Sequence, residues 1–154
     1  MRNIVMKIIV GIALTAIGVF AADNSLGTWK LNMEKSEFTP SAPMKSLTST
    51  REASDGGVKV TTTGEQANGT PINASYTAKY DGKDYSVTGA PYDTIAIKQV
   101  NANTFTAELK NTGNKYRTTA RLVISEDGKT MTTTIKGTDA QGNPISYTMV
   151  YEKQ

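Results

Sequence analysis

Polar and apolar residues alternate along most of the chain after residue 22, and Thr, Tyr, Val and Ile are frequent in this region. Short groups of Gly, Asn, Asp and Pro interrupt the alternation. A period of two is typical of strands with one buried and one solvated face. The pattern predicts ten short strands, at 27–31, 45–53, 57–64, 71–80, 84–88, 94–100, 104–110, 115–125, 129–137 and 144–152.

The segments between these strands contain tight-turn sequences. Asp55-Gly56-Gly57, Asp81-Gly82 and Asp127-Gly128 supply residues that accept positive φ, as hairpin turns require. Consecutive strands are therefore expected to pair antiparallel, and pairing the first strand with the last would remove both exposed edges. The predicted fold is all-β, a single up-and-down antiparallel barrel of about 8–10 strands.

Residues 32–43 are the exception to the alternation. This segment ends in Thr39-Pro40-Ser41-Ala42-Pro43, and two prolines so close together disfavour a stable helix. We expect an irregular connection with at most one helical turn.

Two hairpins have nearly the same sequence, at residues 67–72 and 140–145. Each has Gly for the turn and Pro at the start of the return strand, where no ladder donor is needed. The period of two then predicts which residues of the two return strands point inward. These are Ile72, Ala74, Tyr76, Ala78 and Tyr80 in one strand, and Ile145, Tyr147, Met149 and Tyr151 in the other.

The inward tyrosines admit two interpretations. They either fill the barrel as core side chains or line a cavity and offer hydroxyls to a ligand. The candidate ligand-lining residues are Tyr76, Tyr80, Tyr147, Met149 and Tyr151. The same alternation places Arg117 and Arg121 on the outer face; with the opposite phase, Arg121 would be a buried cation for an acidic ligand.

The N-terminus has the pattern of a secretory signal peptide. Arg2 and Lys7 precede an apolar run from Ile8 to Phe20, and small residues follow. We expect cleavage after Ala21, which leaves one domain at residues 22–154 in the periplasm or outside the cell. A membrane anchor is the alternative, but the run is shorter than the roughly 20 residues of a spanning helix. The mature protein is expected not to be membrane-embedded.

Charge and composition exclude several classes of partner and site. The formal charge is +3, and loss of the two leader cations leaves +1, with charges scattered singly. No nucleic-acid partner is therefore expected, and a monomer is predicted.

The absence of His and Cys excludes histidine bases, thiol nucleophiles and the usual zinc sites. We expect no enzyme activity, no metal and no cofactor, although acid pairs among Glu34, Glu37, Asp84 and Asp93 remain formally open without a recognisable motif.

Both ends of the predicted domain carry motifs of a known group. Gly27-Thr28-Trp29-Lys30-Leu31 at the start and Val150-Tyr151-Glu152-Lys153 at the end bracket a ten-strand meander. This resembles the calycin group of lipocalins and fatty-acid-binding proteins, and is most similar to a bacterial lipocalin-like domain. The resemblance implies that Trp29 is a structural plug at the closed end of the barrel.

The resemblance also implies a departure in the last strand. In fatty-acid-binding proteins this strand carries an Arg-x-Tyr pair for the ligand carboxylate. Tyr151 matches the tyrosine, but Met149 stands where the arginine would be, so that bidentate contact is lost. The helical lid of those proteins also has no counterpart, which implies an open or shallow cavity.

Two functions follow as hypotheses. The first is an exported calycin-like binding protein for a small apolar or amphipathic molecule. The second is a filled barrel that acts through its surface as an inhibitor or accessory protein of another envelope protein. The volume inside the barrel distinguishes them.

Overall fold

The computed structural model describes residues 22–154, and ten strands contain most of them. The predicted leader, residues 1–21, lies outside the described residues. The strands are β1 (Gly27–Thr39), β2 (Met44–Ser54), β3 (Gly57–Gln66), β4 (Pro71–Lys79), β5 (Tyr85–Thr88), β6 (Thr94–Asn101), β7 (Thr104–Lys110), β8 (Arg117–Ile124), β9 (Thr130–Thr138) and β10 (Pro144–Lys153).

The strands form one closed antiparallel barrel. Each strand pairs with its neighbours in sequence, and β1 pairs with β10 to close the ring. In this last seam Leu31 lies opposite Tyr151 and Phe38 lies opposite Tyr147. Closure gives every strand a paired neighbour on both sides. The predicted fold class is confirmed, with ten strands and no helix in the described part of the chain.

None of residues 22–154 belongs to a helix that is long and apolar enough to span a membrane.

The prediction for residues 32–43 was wrong, because β1 continues to Thr39 and only a short turn follows. The pairing with β10 shifts between Asn32 and Glu37, so the segment between them bulges out of the ladder. Local hydrogen bonds hold this bulge: Ser36 Oγ donates to the Asn32 carbonyl at 2.6 Å and accepts from Val150 N–H at 3.0 Å. Side-chain bonding of this kind replaces the missing ladder bonds.

The predicted hairpin repeat has one geometry in both copies. Gly69 and Gly142 both have φ of +89°, and each donates its N–H to the residue three positions earlier, Gln66 or Asp139. Only glycine adopts this backbone conformation readily. Both hairpins lie at the same end of the barrel, because β3 and β9 run in the same direction.

The opposite end is closed by the N-terminal segment, residues 22–26. Asn24 N–H donates to the Ala102 carbonyl at 3.0 Å, which joins this segment to the β6–β7 turn. Ser25 is fully buried and accepts a 2.8 Å hydrogen bond from Trp29 Nε1 at its carbonyl. Trp29 itself packs with Leu31 and the other buried side chains of this end. We call this the closed end and the end with the two repeated hairpins the open end.

Candidate functional site

A cavity of about 490 Å³ lies inside the barrel. Its rim is at the open end, where the β1–β2, β5–β6 and β9–β10 turns contribute Pro43, Tyr92 and Asp139. Its floor lies toward the closed end, where Arg51 and Val60 face the interior. The barrel is therefore hollow along much of its length.

Aromatic side chains form a large part of the wall. Tyr92 and Tyr116 stack near the rim with ring centroids 5.9 Å apart, and Tyr147 packs against Phe38 at 5.5 Å. Aliphatic residues fill the spaces between the rings. Such a wall offers large apolar contact area, and its phenol hydroxyls offer scattered polar contacts.

Four of the five candidate ligand-lining residues meet in this cavity. Tyr76 comes from β4, and Tyr147, Met149 and Tyr151 come from β10. Tyr80 is not among the lining residues in the described chain; its hydroxyl donates to Asp23 and its ring packs on Phe105 with centroids 5.1 Å apart. Tyr80 thus belongs to the packing of the closed end.

Trp29 lies below the cavity. Its side chain is 0% exposed, and Lys153 Nζ sits 5.2 Å from the ring centroid. Neither Trp29 nor its partner Ser25 is among the lining residues. The geometry gives Trp29 apolar contacts, one hydrogen bond and one cation–π contact.

Sequence reasoning missed Arg51, which lines the cavity and is only 6% exposed. It faces inward because it pairs with Val60 of β3, which in turn pairs with Tyr76 of β4. Its phase within β2 was a weak signal: Leu47, Ser49 and Arg51 share one face, but polar residues occupy both faces of this strand. Arg121, the cation considered from the sequence, is exposed on the outer face.

The guanidinium of Arg51 is protonated and positively charged. Burial alone lowers the pKa of its guanidinium, but the neighbouring Tyr76, Tyr80 and Asp23 outweigh that effect and raise it above its usual range. Arginine therefore carries a full positive charge at the floor of an otherwise apolar cavity.

A second concavity, of about 580 Å³, lies on the outer face of β6 to β9. Its floor is made of small side chains such as Ala96 and Thr134, and exposed charged residues such as Lys98 and Glu108 surround it. It lacks the enclosed apolar wall of the interior cavity. The interior cavity is accordingly the candidate site.

A scan of protein-family models and a search of the curated proteins found no match to this chain. Function is therefore inferred from the barrel and its side chains.

Proposed function

We propose that this protein is an exported, calycin-like binding protein that holds a small apolar or amphipathic molecule inside its barrel. The cavity of about 490 Å³ is the observation that carries the proposal. Its size lies within the roughly 300–1,000 Å³ of small-molecule sites, and such sites are mostly apolar with few polar groups, as here.

The barrel itself supports the calycin part of the proposal. A ten-stranded up-and-down barrel with a buried tryptophan in β1 and a closing seam between β1 and β10 is compatible with that group. The volume of the interior favours ligand binding over the alternative of a filled barrel that acts through its surface.

Native mass spectrometry of protein purified from the periplasm or medium of its own host tests this function. We expect a protein mass that begins at Ala22, accompanied by a species that carries a bound small molecule. A mass that includes Met1 would refute cleavage of the leader after Ala21. Protein without a ligand that also gives no thermal shift with a panel of lipids and aromatic compounds would refute binding.

A cavity-blocking variant locates the site. Ala74 lines the cavity, whereas Thr77 is exposed on the outer face of the same strand. Ala74→Phe should weaken binding of the neutral fluorophore N-phenyl-1-naphthylamine at least about tenfold, or about 1.4 kcal/mol, because the new ring occupies the cavity. Thr77→Phe is the matched control and should bind like the wild type. Equal affinities in both variants would place the fluorophore outside the barrel.

A further inference from the structure

Arg51 is the one charged side chain that is buried among residues 22–154. Its position on β2 directs it to the cavity floor beside Val60 and Tyr76, far from the solvated outer face. A buried charge is strongly destabilising unless it has a charged or hydrogen-bonded partner. The partners of Arg51 therefore decide what this position is for.

The described residues give Arg51 polar neighbours but no direct ion pair. The four ion pairs among the described residues all lie on the surface, and none includes Arg51. Asp23 favours the charged form of Arg51 electrostatically, but its carboxylate accepts its hydrogen bonds from Ser25 and Tyr80. The guanidinium donates a hydrogen bond from Nε to Ser25 Oγ at 3.2 Å, and the side chain of Tyr76 is a second hydrogen-bonding neighbour.

The rest of the cavity constrains the partner further. The wall between Arg51 and the rim is mainly aromatic and aliphatic, so it suits an apolar body. Asp139 lies at the rim, and hydrogen bonds from Asn143 lower the pKa of its carboxyl, which remains ionised. A second negative charge near the rim would be repelled.

We infer that the ligand is an organic monoanion whose carboxylate pairs with Arg51 at the cavity floor and whose apolar body extends toward the rim. This inference rests on the proposed function and adds the head group and its orientation. The planar guanidinium fork matches a carboxylate in a bidentate geometry, and the low-polarity surroundings strengthen the pair. The bound acid places its head group at the floor, because its charge is attracted by Arg51 and repelled by Asp139 at the rim.

The test compares ligands that differ only in the head group. The probes are naphthalene-2-acetic acid against naphthalene-2-ethanol, and dodecanoic acid against dodecanol, titrated calorimetrically at pH 7. At least one of the two acids should bind wild-type protein at least about tenfold more tightly than its alcohol, as hydrogen bonds to charged groups typically contribute. Equal affinity of acid and alcohol in every pair that binds would overturn the inference but leave the proposed function standing.

Variants assign the effect to Arg51. Arg51→Met should remove the preference for the acid and leave affinity for the alcohol within about twofold, whereas Arg121→Gln, at an exposed arginine, should change neither. A preference that survives in a folded Arg51→Met protein would overturn the inference. If Arg51→Met does not fold, Arg51→Lys replaces it. Loss of the bidentate geometry should then reduce the preference for the acid, and an unchanged preference would overturn the inference.

Failure of all four probes and of the neutral fluorophore to bind wild-type protein would refute the proposed function itself.

Discussion

Trp29 is the largest side chain that is completely buried in the described chain. Its ring packs in the apolar cluster of the closed end, and its indole N–H is satisfied by the Ser25 carbonyl. Both features tie the N-terminal segment to the barrel. A residue in this position acts on stability rather than on ligand contact.

Trp29→Ala should therefore lower the free energy of unfolding by about 3–5 kcal/mol, as truncation of a buried aromatic ring usually does. Urea melts followed by far-UV circular dichroism measure the change without relying on the lost indole. Val100→Ala is the control, because Val100 is 58% exposed and its truncation should change stability by less than about 0.5 kcal/mol. Coincident midpoints for Trp29→Ala and wild type would show that the closed end does not depend on this ring.

At the scale of the strand, the period of two predicted the inward faces of β4 and β10 well, because those strands place large apolar residues at alternate positions. Tyr76, Tyr147 and Met149 all reach the cavity for this reason. β2 has Ser, Thr and charged residues on both faces, so alternation alone did not reveal the inward position of Arg51. Only the pairing of Arg51 with Val60 fixes its direction.

The extension of β1 beyond residue 31 was missed for a related reason. Sequence patterns predict uninterrupted ladders, whereas the bulge before Glu37 restores pairing in a new register. The bonds of Ser36 that support it depend on β10, which is distant in sequence. The end of a strand in such a case is determined by its partner rather than by its own residues.

The repeated hairpins allow a prediction at this scale. Gly69→Ala should lower the free energy of unfolding by about 1–2 kcal/mol, because its φ of +89° is unfavourable for any residue with a Cβ. An added Cβ would meet nothing closer than Glu65 Oε1 at 3.8 Å, so backbone strain alone is measured. Chemical denaturation of the variant and wild type gives the difference.

Gly113→Ala is the matched control for that experiment. Gly113 also lies in a turn, but its φ is not positive and an added Cβ would have its nearest contact at 3.4 Å. This variant should be as stable as wild type or slightly more stable, since alanine restricts the unfolded chain. Equal stability of Gly69→Ala and Gly113→Ala would mean that the hairpin relaxes without strain.

At the scale of the whole molecule, the barrel surrounds several phenols with apolar walls. Burial raises the pKa of Tyr116, and it raises that of Tyr151 despite the attraction of Arg51 for a phenolate. Burial and the hydrogen bond to Asp23 likewise raise the pKa of Tyr80. These groups stay protonated in the folded barrel at a pH where the unfolded chain already ionises.

The contribution of these phenols to stability should therefore be constant below about pH 9 and fall as pH rises above 10, the ordinary tyrosine pKa. The unfolded chain loses protons there while the barrel retains them. Each fully buried phenol therefore lowers the free energy of unfolding by about 1.4 kcal/mol per pH unit until its folded-state pKa is reached.

Absorbance at 295 nm and far-UV circular dichroism should be recorded together during an alkaline titration. We expect the buried phenols to ionise only as the β signal is lost. Tyr151→Phe should make the loss less steep, because it removes one such proton and only a weak 3.8 Å contact to Met149 Sδ. Reversible ionisation of all seven tyrosines near pH 10 with an intact β signal would contradict this account and imply that water reaches every phenol in the barrel.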